Sequence, residues 1–200
     1  MNVEKFIKIL GASFFTGVPD SQLKPLCDYL TNTYGVNPKH HIIAANEGNC
    51  VAIAAGYHLA TGKTPVVYMQ NSGEGNIINP VASLLNDKVY AIPMIFVIGW
   101  RGEPGTKDEP QHIYQGEITL KLMEDMGIRT FIINPDTCEE ELKRVMKEYE
   151  LVLAQGKNVA FVIRKNALSY YEKVKYSNNN VMLREDIIKH ITDISDEDPI

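Results

Sequence analysis

Apolar residues follow two rhythms along this chain. Short continuous runs such as VVYM, MIFVIGW and AFVIR show no polar alternation, the pattern of strands covered on both faces. They predict strands at 14–19, 41–45, 64–70, 93–100, 129–134 and 158–164. Between them the spacing becomes helical. Residues 2–10 repeat Phe6, Ile7 and Leu10; residues 21–30 repeat Leu23, Leu26 and Leu30. Residues 137–155 repeat Leu142, Val145, Met146, Tyr149 and Leu153, one buried stripe. Asp136 and Thr137 ahead of Glu139, Glu140 and Glu141 read as a capped, acidic helix start, and Gly156 as the terminal cap. The alternation predicts an α/β fold, a mostly parallel sheet with helices on both faces. Such sheets take their ligands in loops beyond the carboxyl ends of the strands.

The pattern breaks after residue 168. Residues 170–180 (YYEKVKYSNNN) read as linker sequence. The expected division is a domain over 1–168, a linker over 169–181, and the start of a second, truncated domain at 182–200. There Ile187, Ile188 and Ile191 mark one face of a new helix; the competing reading folds that helix back onto the sheet. Composition narrows the class. Hydrophobic content is 44%, charged content 22%, and the net charge of −5 comes without any block of like charge. That is a globular balance and argues against a nucleic-acid surface. Cys27, Cys50 and Cys138 are scattered and form no CxxC pair, which suits the cytoplasm. No apolar run reaches the ~18 residues of a membrane span, and the charged start MNVEKFIKIL does not read as a secretory signal.

Three loops carry candidate chemistry. In the first, strand HIIAA runs into Asn46, a good helix cap, and then Glu47. A ligand-side carboxylate and a solvated glutamate favouring the helix dipole both fit that position. The second loop, Asn71-Ser72-Gly73-Glu74-Gly75-Asn76, lets backbone N–H groups approach a ligand, though a simple tight turn fits as well. The third, 101–112, offers Arg101, Lys107 and His112. Its two cations face three acids, Glu103, Asp108 and Glu109, so net charge alone does not make it an anion site. His40 and His41 are adjacent and point opposite ways on a strand, which argues against a shared metal; the expectation is no metal ligand in this chain.

Together the segments TGVPDS (16–21), AANEGNCVAIAAGYHLATGK (44–63), YMQNSGEGN (68–76) and GWRGEPGTKDEPQH (99–112) resemble the phosphonopyruvate decarboxylase family, with sulfopyruvate decarboxylases as near relatives. The resemblance implies the pyrimidine-binding (PYR) domain of a thiamine-diphosphate enzyme that decarboxylates 3-phosphonopyruvate to phosphonoacetaldehyde through the cofactor's C2 carbanion. It implies that Glu47 activates the aminopyrimidine, that Asn71, Ser72 and Gly73 line the cofactor, and that His112 is the general acid. It makes Asp20, Ser21, Arg101, Lys107 and Gln111 substrate-binding candidates. A partner PP domain would hold the diphosphate and Mg²⁺; its Gly-Asp-Gly signature does not occur in these 200 residues. Sites shared between subunits imply at least a homodimer. Glu74 departs from the apolar residue expected there. The competing functions are sulfopyruvate decarboxylation and a non-catalytic PYR-like binding module. A Rossmann-type dehydrogenase lacks its GxGxxG here.

Overall fold

The computed structural model describes residues 1–172, 174 and 182–195. All six expected strands form and pair in one parallel sheet. They are β1 (Phe15–Gly17), β2 (His41–Ile43), β3 (Val66–Gln70), β4 (Ile95–Gly99), β5 (Arg129–Ile133) and β6 (Val159–Ile163). Their order across the sheet is β2-β1-β3-β4-β6-β5. Each strand is shorter than the run that announced it. In β1 the pairing persists one residue further, with Val18 N–H donating to Tyr68 O at 3.2 Å. Pro19 then offers no N–H and ends it.

β4 and β6 are buried along their whole length and β3 nearly so, which is why their sequences are continuously apolar. Alternate side chains feed two cores. Phe15, Val66, Tyr68, Val97 and Phe161 join the core under α1 (Val3–Leu10), α2 (Lys24–Tyr34) and α6 (Glu139–Leu153). Val67, Met69, Phe96, Ile98 and Ala160 join the core under α3 (Glu47–Thr61), α4 (Glu74–Pro80) and α5 (Pro110–Asp125). Each fully buried large apolar side chain contributes roughly 1.5–3 kcal/mol.

The chain changes faces at two places. The path from β1 through α2 and back through α3 splits the loops after β1 and β3. The path from β4 through α5 and back through α6 splits the ends of β4 and β6. Diverging loops at such points leave crevices beyond the strand ends.

Several helix boundaries differ from expectation. α2 begins at Lys24, because residues 21–23 form a turn closed by Lys24 N–H on Ser21 O at 3.3 Å. α6 begins at Glu139 behind Cys138, which makes no side-chain cap. Thr137 turns back instead, its hydroxyl accepting from Asn134 N–H at 3.0 Å. Gly156 does take the left-handed conformation, φ +73°, just past the last turn of α6. α4 is followed by a π-helical turn, Val81–Leu85, after Pro80, whose missing N–H removes a regular α-helical bond. α5 has no counterpart in the apolar spacing. α7 (Arg184–Ile194) has no buried residue; Ile187, Ile188 and Ile191 are 46%, 52% and 43% exposed. Residues 173, 175–181 and 196–200, which include most of the expected linker, lie outside the described residues.

Candidate active site

Glu47 is the first residue of α3. Asn46 caps the helix, its side chain accepting from Asn49 N–H at 2.9 Å. Glu47 is only 9% exposed, so it is not a solvated surface glutamate. Asn76 Nδ2 donates to its Oε2 at 2.7 Å. Its other edge lies against Gly73, where a Cβ would come within 2.4 Å of Oε1 and of the carboxyl carbon. Gly73 is thus required for room, since any side chain there would occupy the place of the carboxylate. The exposed Ser72 accepts from Gln70 Nε2 at 2.8 Å, and the same amide lies 3.5 Å from His112 Nδ1. Glu47, Ser72, Gly73 and His112 therefore share one rim above the ends of β2 and β3. Gln111 is exposed beside His112 in the first turn of α5.

The remaining candidates gather at the second crevice. A pocket of about 460 Å³ between the ends of β1, β4 and β6 is lined by Ser21, Gln22, Arg101 and Lys107, among others. The loop after β4 is a folded unit rather than a loose mixed-charge segment. Arg101 donates from Nε and Nη2 to Asp108 Oδ2 at 2.8 Å and Oδ1 at 2.5 Å. Asp108 also accepts from Gly102 N–H and Glu109 N–H, each at 2.8 Å. The guanidinium holds the Asp108 carboxyl far below the usual carboxylate range. Arg101 Nη1 is left to reach Ser21 Oγ at 3.4 Å. Asp20 lies beneath, with Oδ2 accepting from Gln22 N–H at 3.0 Å and Leu23 N–H at 3.2 Å. Burial pushes its pKa up against those hydrogen bonds and the charge of Arg101. Gln22, absent from the sequence candidates, donates from Nε2 to Trp100 O at 2.8 Å and Ile163 O at 2.9 Å. It ties the loop after β1 to the ends of β4 and β6.

A buried polar network joins the two crevices. Asn71, fully buried, donates from Nδ2 to Arg101 O at 2.8 Å and Thr119 Oγ1 at 2.9 Å, and accepts from Arg101 N–H at 3.1 Å. Its side chain is committed to protein groups. Gln115 Nε2 donates to Asn71 O at 2.9 Å and to Glu74 Oε2 at 3.2 Å. Glu74 is fully buried and its Oε1 has no hydrogen-bond partner; burial pushes its pKa up to about 8. The helix α5 seats closely on this network: a Cβ at Gly116 would meet Gly102 O at 1.8 Å, and Trp100 Nε1 donates to Gly116 O at 2.9 Å. Among the described residues no group of three or more His, Cys, Asp or Glu is placed to hold a metal ion, and no helix is long and apolar enough to cross a membrane.

A parallel α/β domain with a braced carboxylate at the start of α3, at a strand-to-helix rim, defines a class. The chain belongs to the thiamine pyrophosphate enzymes: residues 3–124 match their N-terminal TPP binding domain. Among particular relatives, the phosphonopyruvate decarboxylase of Streptomyces viridochromogenes is 38% identical over 131 residues, 66% of this chain and 31% of that protein. That of Streptomyces hygroscopicus is 36% identical over 74% of this chain and 37% of its own length. The sulfopyruvate decarboxylase subunit alpha of Methanococcus maripaludis is 35% identical over 80% of this chain and 91% of its own. The chain thus spans about a third of the phosphonopyruvate decarboxylases it matches.

Proposed function

We propose that this chain is the PYR half of a thiamine-diphosphate-dependent decarboxylase acting on 3-phosphonopyruvate, releasing phosphonoacetaldehyde and carbon dioxide. The carrying observation is Glu47, braced by Asn76 on one oxygen and kept clear of other side chains by Gly73 on the other. A carboxylate with one committed and one open oxygen fits a ring nitrogen of an aminopyrimidine. Ser72 and Gly73 would line the cofactor, with Asn71 fixing their loop from behind. When bound, thiamine diphosphate supplies the nucleophilic carbon and the electron sink for loss of carbon dioxide. Glu47 would share a proton with the pyrimidine nitrogen at its open oxygen. His112, on the rim beside Ser72, would give a proton to the departing product. Asp20, Ser21, Arg101, Lys107 and Gln111 would orient the keto acid's anionic groups.

A PP domain, on the same or another chain, would hold the diphosphate and Mg²⁺. α7 reads as the opening of such a second unit, and the active assembly as at least a dimer in the cytoplasm. A second reading has specific support: the alignment takes in 91% of a sulfopyruvate decarboxylase alpha subunit, which favours sulfopyruvate. Aldehyde release by the assembled enzyme with thiamine diphosphate and Mg²⁺ separates them, both keto acids being tried side by side. Faster release from phosphonopyruvate is expected. Preference for sulfopyruvate would establish the second reading, and no release from either would overturn both.

A further inference from the structure

The pocket between the ends of β1, β4 and β6 is more cationic than its sequence discloses. The loop after β4 reads as net acidic, yet each acid that lines the pocket already has a cation. Asp108 is taken by Arg101, and Glu103 lies 2.5 Å from Arg164 Nη2. Lys24, also in the lining, is 2.5 Å from Asp28. Lys107 and Lys165 line the same pocket, and neither makes an ion pair among the described residues. Two positive charges are left over.

Lys165 stands on a fixed turn. Arg164 N–H continues the sheet by donating to Ile133 O at 2.9 Å, and Ala167 N–H closes on Arg164 O at 3.1 Å. Asn166, within that turn and also in the pocket lining, takes φ +63°, a conformation uncommon outside glycine. Ala167 and Leu168 are buried just beyond and hold the turn down. Ser21 and Asn166 add neutral hydrogen-bonding groups to the same wall.

We propose that this pocket is the subsite for the substrate's tetrahedral oxyanion, and that Lys165 with Lys107 makes it selective for a phosphonate dianion over a sulfonate monoanion. The proposal rests on the keto-acid reading above. Phosphonate and sulfonate groups have nearly the same shape and differ by one charge. Two lysines without acidic partners reward the extra charge, and a lysine is a point-charge binder of such oxyanions. Because Lys107 and Lys165 are exposed to water, the expected preference is about tenfold rather than many orders of magnitude.

The test is an NMR titration of the 200-residue chain with methylphosphonate and, separately, methanesulfonate, at mildly alkaline pH where the phosphonate is fully ionised. Methylphosphonate is expected to shift the amides of Lys107, Lys165 and Asn166 and to bind about tenfold more tightly. Lys165→Met is expected to weaken it about tenfold, Lys165→Arg to restore most of the affinity, and Lys88→Met, outside the pocket, to change nothing. Equal binding of the two anions, or undiminished binding by Lys165→Met, would overturn the proposal. In the assembled enzyme Lys165→Met should raise KM for phosphonopyruvate more than it lowers kcat; an unchanged KM would again overturn it. The titration needs no turnover, so a lack of decarboxylation counts against the keto-acid reading alone, while methylphosphonate still decides the pocket.

Discussion

The two halves of the rim treat charge in opposite ways. Above β2 and β3 the carboxylate of Glu47 sits between an amide and a glycine and makes no ion pair among the described residues. Above β4 and β6 each acid lining the pocket has a cation and two lysines are left over, and Asp108 uses both oxygens on Arg101 and two backbone N–H groups. A carboxylate with an open oxygen is available to share a proton with a ligand. One that is committed on every side can only shape a loop. The first half is suited to proton handling and the second to holding an anion.

The comparison can be broken most sharply at Glu47. Glu47→Gln keeps the size and the contact with Asn76 but removes the proton-sharing group. It is expected to cost about 100-fold or more in turnover while circular dichroism stays native. Gly73→Ala attacks the same spot from the neighbouring loop. Its methyl would stand within 2.4 Å of the Glu47 carboxylate, so turnover should fall by about tenfold and stability by roughly 1–3 kcal/mol. Urea unfolding and kinetics on the same preparation separate the two losses.

Glu74 sharpens the contrast from behind the rim. Its folded pKa, raised to about 8 by burial, lies above the ordinary value of a glutamate. The stability it contributes is therefore fully present below the unfolded pKa and is lost as pH rises towards 8. Glu74→Gln mimics the protonated acid, so the variant should match the wild type near about pH 4. It should be the more stable protein by roughly 4 kcal/mol near pH 8. Parallel urea curves across that range would count against a buried neutral acid.

The smallest effect lies in the first core. His41 is buried, with Nδ1 2.8 Å from Gly35 O and Nε2 2.8 Å from Tyr68 OH. The carbonyl accepts only, so Nδ1 carries the proton and Nε2 accepts from the tyrosine. Burial lowers the His41 pKa. Its stabilising share is present above the unfolded pKa of about 6.5 and fades as pH falls below it. Thermal melts should drop on acidification, and His41→Asn should reduce that dependence.

Much of the fold was legible because buried parallel strands write themselves as unbroken apolar runs. α5 was not, because its buried face is Gly116, Thr119 and Met123. A helix that packs through a glycine and a hydroxyl leaves no apolar stripe; the signal available was Pro110 at its first turn, after the acidic Asp108 and Glu109. The start of α6 was misplaced because Thr137 finds a nearer partner in Asn134. At the site, Glu47 could be singled out from its helix-start position, but its burial depends on Gly73, which sequence separates from it by 26 residues. Likewise the charge of the second crevice follows from which acid meets which base. Arg164 and Lys165 arrive there from β6, far along the chain from the loop they complete.

The central claim is that Glu47 makes a bound thiamine cofactor reactive, and hydrogen–deuterium exchange at C2 of thiamine diphosphate reads that step without any substrate. On the assembled enzyme, quenched and followed by proton NMR, wild-type exchange should outpace free cofactor by orders of magnitude. Glu47→Gln should exchange about 100-fold more slowly than wild type. Equal rates in the two proteins would contradict the account and remove Glu47 from the mechanism.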